Sequence, residues 1–224
     1  MTSTKIPFIK YHGLGNDFAV FNCLDGPDEL EQRLADAAMA QALCNRYTGI
    51  GGDGLLLVLP PVPGKNHGGG ARMRVINADG SEAEMCGNGL RCVAKYLHDK
   101  WPRFSHETLL HIDTGAGCLR CDLTLGPEGL VSSVRVDMGR PRQEPTELGL
   151  TRDRPLTDEA MEIQGSAPRP ATAVSMGNPH LVFFVEGEDP RHLATTLGPG
   201  LEHHPCSQTA PTWSSPASVK MALS

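Results

Sequence analysis

One thiol at the start of a helix limits what this chain can build more than any other feature. The run Met85-Cys86-Gly87-Asn88-Gly89-Leu90-Arg91-Cys92 leads directly into a helical stretch, Val93 to Lys100. Leu90, Val93, Ala94 and Leu97 recur at i, i+3, i+4 and i+7, the spacing of one apolar helix face. Cys86 therefore stands at the mouth of a buried helix, where free backbone N–H groups and the positive end of the dipole favour thiolate over thiol. Gly87 and Gly89 let the backbone come close to a substrate. A thiol so placed can act as an acid or a base. Cys92 lies about 240° further round the helix at roughly 100° per residue, so the two are not a natural metal pair. The competing reading makes Cys86 a small apolar core residue, as most free cysteines are.

Composition removes several function classes. The formal net charge of −6 argues against a nucleic-acid partner, although Arg74 and Arg91 could still meet an anion locally. The longest apolar run, Leu55 to Leu59, ends in prolines and is far shorter than the roughly 20 residues a membrane span needs. With no hydrophobic signal core at the N-terminus, the expected location is cytoplasmic. Seven cysteines at irregular spacing suit reduced thiols better than a disulfide framework. Cys118-Leu119-Arg120-Cys121 has the spacing of a redox pair or half a zinc site. It lies in an apparent strand, however, where residues three apart face opposite ways, and no second Cys or His pair is suitably spaced. No metal is expected. The Gly49–Gly54 cluster lacks the Gly-Lys-Ser/Thr of a phosphate loop, because Gly54 runs straight into Leu55.

The patterning predicts strands near Ile6–Tyr11, Asp17–Cys23, Gly54–Leu59, Ala71–Asn77, Leu109–Thr114, Gly117–Leu125, Val131–Met138, Ala171–Met176 and Leu181–Val185. It predicts one helix over Asp28–Asn45 and a second after Cys86, closed by Trp101-Pro102. Residues 60–70 read as a surface loop, Gln143–Pro170 as a proline-rich linker or excursion, and the tail after Pro205 as lacking any helix or strand period. Many short strands around few helices give an α/β (α+β) class and argue against a Rossmann sheet. The length allows one large or two small domains.

The run from Met73 to Glu84, which contains Asn77-Ala78-Asp79-Gly80-Ser81, joins Cys86-Gly87-Asn88-Gly89 in a segment that resembles the first catalytic segment of the diaminopimelate epimerases. Lys10-Tyr11-His12-Gly13-Leu14-Gly15-Asn16-Asp17-Phe18, the glycine-rich Arg46 to Gly54, Val134 to Gly139, and Ser175-Met176-Gly177-Asn178-Pro179-His180 are similar to further segments of that family. Some members carry a substrate-contacting glutamine where this chain has Gly54. The resemblance implies two pseudo-symmetric halves, each wrapping strands around a central helix, with residues 1–140 as the first half and 141–205 as part of the second. It implies catalysis without pyridoxal phosphate or any other cofactor, by two cysteines facing each other across the substrate, one of them Cys86. Asn16, Asn77, Gly87, Asn88 and Asn178 would bind diaminopimelate, and His180 would tune the thiols. A homodimer is a family expectation.

After Pro205 the resemblance lapses. The family's Arg-Thr-Asn-Val-Glu-Phe, Glu-Arg-Gly and Ala-Cys-Gly-Thr-Gly segments are not found, and residues 206–224 form a non-homologous tail. A one-base shift of reading frame after Pro205, in the gene or its sequence record, would account for this. Cys206 is then not the second catalytic cysteine, and negligible epimerase activity and poor stability are expected of the chain as it stands. Two alternatives are a related racemase or isomerase of the same architecture and a catalytically silent amino-acid-binding protein.

Overall fold

The computed structural model describes residues 5–26, 28–61, 70–163, 165–176, 179–202 and 218–223. They divide into two compact units, Met1–Met138 and Gly139–Ser224.

The first unit is built on an eight-stranded sheet. Its strands are β1 (Phe8–Gly13), β2 (Asn16–Asn22), β3 (Gly54–Leu59), β4 (Ala71–Asn77), the short β5 (Glu82–Ala83), β6 (Leu109–Thr114), β7 (Gly117–Leu125) and β8 (Val131–Asp137). They lie in the order β1-β2-β3-β4-β6-β7-β8, with β5 beside β4. β2 runs parallel to β3 and β4 to β6; the other pairs are antiparallel.

One helix, α3 (Gly87–Lys100), fills one face of this sheet. Leu90, Val93, Ala94 and Leu97 are no more than 1% exposed and pack with Met73, Val75, Leu110 and Ile112. Burial of each such leucine contributes about 1.5–3 kcal/mol. On the other face, α1 (Asp28–Leu34) and α2 (Ala37–Cys44) cover Leu55, Leu57, Leu59 and Ile76. β3 is therefore covered on both sides, which explains why all six of its residues are buried and why its sequence is an unbroken apolar run.

The second unit has α4 (Pro145–Leu148), β9 (Glu159–Met161), β10 (Arg169–Ser175), β11 (Pro179–Val185), α5 (Pro190–Glu202) and β12 (Ser218–Leu223). The sheet order is β12-β11-β10-β9. Leu181, Phe183 and Val185 of β11 pack with Leu193 and Leu201 of α5.

Three expectations need correction. The helix expected over Asp28–Asn45 is broken, because Asp36 caps α2 by accepting the Met39 N–H at 2.9 Å. A side chain that competes for backbone donors suits a cap better than a helix interior. The stretch Gln143–Pro170 is not a bare linker: Leu148, Leu150, Leu156, Met161 and Ile163 are core residues of the second unit. Its prolines and glycines punctuate rather than exclude structure, with Pro145 opening α4 and Gly149 closing it at φ 64°. The tail supplies β12, parallel to β11 and in register from His180↔Ser218 to Val185↔Leu223. Strand pairing uses backbone groups that every such residue carries, so a sequence without period can still make it. The helix α5 was not anticipated. Among the described residues no helix is long and apolar enough to cross a membrane.

Candidate active site

The thiol of Cys86 caps α3. Cys86 is extended (φ −141°, ψ 109°), and its Sγ accepts the Gly89 N–H at 3.4 Å while its carbonyl accepts the Leu90 N–H at 2.8 Å. The side chain is half-buried, above the packed face of the helix. The first-turn amides of Gly87 and Asn88 have no intrahelical carbonyl to bond, which leaves donors beside the sulfur.

The hairpin β1–β2 delivers the first asparagine. Its two-residue turn, Leu14-Gly15, has positive φ at both positions (50° and 98°), the geometry that matches the twist of paired strands. Asn16 follows, opposite Gly13. Asn88 Nδ2 donates to Asn16 Oδ1 at 2.8 Å, Arg91 Nη1 donates to Asn88 Oδ1 at 2.9 Å, and Asn16 Nδ2 donates to Asp53 Oδ2 at 3.1 Å. A guanidinium can only donate and a carboxylate only accept, so the two ends of this chain fix which way each amide points.

Asp53 ties three segments together. Besides Asn16, its Oδ2 accepts the Asp17 N–H at 3.1 Å, its Oδ1 accepts Arg46 Nη2 at 2.8 Å, and its carbonyl accepts the Ala78 N–H at 3.2 Å. Arg46 also holds Asp17 through both nitrogens, at 2.7 and 3.1 Å, and Lys10 Nζ lies 3.0 Å from the same carboxylate. Hydrogen bonding to Arg46 keeps Asp17 well below the usual carboxylate range, against the opposing effect of burial. Exposed ion pairs of this kind contribute at most about 1 kcal/mol each, so their main effect is on geometry. Asn77 sits opposite Gly54 in the β3–β4 register, with its Nδ2 donating to Ser81 Oγ at 2.9 Å.

Of the residues expected at the site, Cys86, Gly87, Asn88 and Asn16 are thus brought together in one unit, with Asn77 joined to them through the Asp53 segment. His180 lies half-buried on β11 of the second unit, opposite Val174. Asn178 and Cys206 fall outside the described residues. Arg46, Asp17 and Asp53 were not expected to matter individually; the signal was their position inside two of the motif segments. Arg74 is not free for an anion. It grips Glu82 at 2.7 and 2.6 Å and reaches Glu31 at 2.8 Å.

The other cysteines read differently. Burial pushes the Cys23 and Cys92 thiols up to about 11 and Cys121 up to about 12. Cys118 is raised to about 11 by burial and by the Asp113 carboxylate beside it. Cys118 and Cys121 lie on β7, and only Cys121 belongs to the core against α3. Among the described residues no group of three or more His, Cys, Asp or Glu side chains could hold a metal ion.

A mixed α/β chain whose sheet curls round a helix starting at a thiol shares its fold with solved racemases and epimerases. A hydroxyproline epimerase from Agrobacterium vitis, solved with trans-4-hydroxy-L-proline, shares it: the TM-score is 0.57 at 15% identity, over 84% of this chain and 56% of that one. The family model for diaminopimelate epimerase matches residues 8–143. The diaminopimelate epimerase of Moorella thermoacetica is 43% identical over 201 residues, and that of Desulfitobacterium hafniense 40% identical over 199. The chain belongs to the diaminopimelate epimerase family. The alignments take in 88% of the chain but only 66% of either relative, so the chain spans just under two thirds of their length.

Proposed function

We propose that this chain carries the first half of a diaminopimelate epimerase site, in which Cys86 moves the α-proton on one face of the substrate and a second acid/base group serves the other. The Cα–H bond breaks as the Cys86 S–H bond forms, and the opposite group returns a proton to carbon, inverting LL- to meso-diaminopimelate or the reverse. The Gly87 and Asn88 amides at the start of α3 would face the carboxylate as charge develops. Asn16, Asn77, Asn88 and Asn178 would hold the distal amino-acid group, and His180 would tune the thiols. Such a step supplies lysine and peptidoglycan precursors and belongs in the cytoplasm. It asks for no cofactor, and the enzyme would act as a homodimer. Residues 1–140 would form the first catalytic half and 141–205 part of the second.

The observation that carries this reading is the Cys86 cap on α3, set beside an asparagine pair whose amides are already oriented. Alkylation of Cys86 by iodoacetamide, followed by peptide mass spectrometry, tests the site without requiring turnover. Diaminopimelate should slow the reaction where lysine, which lacks the second carboxylate, does not. Whatever slow entry of deuterium into the substrate α-position this half-site supports in D2O should vanish in Cys86→Ala. Indifference of the alkylation to diaminopimelate would sink the binding role, and exchange surviving Cys86→Ala would sink the chemical one.

A further inference from the structure

The first unit also has a cavity of about 550 Å³ that does not include Cys86. Arg72, Arg74, Glu84, Asp113 and Thr114 contribute to its wall. Alternation along β4 sends Arg72 and Arg74 to the face opposite Met73 and Val75, and alternation along β6 does the same for Asp113 relative to Ile112. Met73, Val75 and Ile112 pack with α3, so this cavity opens on the other side of the sheet.

We propose that this cavity is a binding site for a small primary amine, with Asp113 and Glu84 receiving its ammonium group and Arg72 donating to a neutral acceptor on the same ligand.

Asp113 is 8% exposed, and its Oδ1 is buried with no hydrogen-bond partner. Arg72 Nε is likewise buried and unpartnered. The two residues are neighbours across the parallel β4–β6 pair. One unused acceptor and one unused donor therefore belong to register neighbours in the wall of a cavity, and each is costly to leave unmade. A ligand that offers both a donor and an acceptor recovers that cost.

Charge selects the donor. Arg74 is neutralised by Glu82 at 2.6 Å and by Glu31 at 2.8 Å, and Arg72 Nη2 by the same Glu31 at 3.1 Å. Asp113 and Glu84 have no cation partner among the described residues, so the cavity carries uncompensated negative charge. Cys118, facing Asp113 across β6–β7, stays a thiol, because burial and the adjacent carboxylate hold its proton. Among the described residues no group of three or more His, Cys, Asp or Glu side chains could hold a metal ion, and two carboxylates without a third donor suit an ammonium better than a transition metal. The occupant is a compact amine with a hydroxyl or amide oxygen a few bonds away. Nothing in this inference depends on the role of Cys86.

Ethanolammonium chloride is the probe, titrated into the full chain and followed by 1H–15N correlation spectra, with potassium chloride and tetramethylammonium chloride as controls. The expected result is saturable shifts at the Thr114, Gly115 and Gly117 amides that neither control reproduces. Asp113→Asn should weaken the affinity at least tenfold and Glu84→Gln several-fold, while prior alkylation of Cys86 leaves it unchanged. Shifts that merely track potassium chloride, or binding indifferent to both substitutions, would overturn the proposal. Should Asp113→Asn fail to fold, Glu84→Gln decides alone, and unchanged affinity in it counts against the site.

Discussion

Replacing Gly13 by alanine tests how the β1–β2 hairpin and the helix α3 are fitted together. A Cβ on Gly13 would stand 2.9 Å from the backbone oxygen of Asn88 and 3.5 Å from its Cα and carbonyl carbon. Comfortable contact begins near about 3.5 Å, so roughly half an ångström must be found. The obstructing atom is backbone in the first turn of α3 and cannot swing aside as a side-chain tip would. Overpacking typically costs about 1–3 kcal/mol, and a backbone partner places this case in the upper half. The narrower unfolded ensemble of alanine returns about 0.4–1 kcal/mol. The net loss is about 2 kcal/mol, which for a unit of this size lowers the melting temperature by roughly 8 °C. Because the Asn88–Asn16 bond of 2.8 Å spans the same gap, the alkylation rate of Cys86 should change as well. Gly15→Ala is the control. Gly15 has φ 98° with nothing within 4 Å of a Cβ, so its cost of about 1–2 kcal/mol is conformational and leaves α3 in place. Thermal melts followed by circular dichroism, paired with iodoacetamide kinetics, separate the two. A Gly13→Ala chain that melts at or above the parent, or that matches Gly15→Ala in Cys86 reactivity, would refute the close-approach argument.

Further outcomes follow from the same geometry. Leu97→Ala removes a side chain 1% exposed beneath the site and should cost about 3–5 kcal/mol, read from the urea midpoint. Cys92 and Cys121, pushed by burial up to about 11 and about 12, should stay unlabelled by iodoacetamide at neutral pH until the chain is unfolded; early labelling of either would contradict their burial. Asp17 has its folded value depressed by Arg46, so its contribution is fully present above the unfolded value of about 3.9 and is lost as pH falls through the folded one. The melting-temperature gap between the parent and Asp17→Asn should therefore be constant above about pH 5 and close under more acid conditions.

The helix α3 was legible because its buried face repeats at helical spacing and its first turn is marked by glycines. Most strands of the first unit were legible for the related reason that an unbroken apolar run such as Leu55–Leu59 fits a strand covered on both faces. The break at Asp36 was not, since Leu30, Leu34 and Ala38 keep a helical period across it and only the cap hydrogen bond marks the interruption. In the second unit the core residues between Leu148 and Ile163 are scattered among prolines and polar residues, and no local period reveals that they meet β10 and β11. The proximity of Asn16 and Asn88 was signalled by the two motifs that carry them. The ion-pair frame of Arg46, Asp17 and Asp53 was not, because it joins residues 29 and 36 positions apart in sequence that only the β2–β3 pairing brings together.

The strand order of the first unit bears on how the site comes into being during synthesis. Neighbours in the sheet are for the most part neighbours in the chain, so pairing can advance from β1 towards β4 as the chain is made, each step closing a modest loop. The helix α3 is the exception: it packs against β1 and β2, which precede it, and also against β7 and β8, which end at Asp137. Cys86 is thus synthesised some fifty residues before the last strand that seats its helix. Until then its apolar face has no complete cover, and the thiol that organises the proposed chemistry is among the last parts of the unit to acquire its final surroundings.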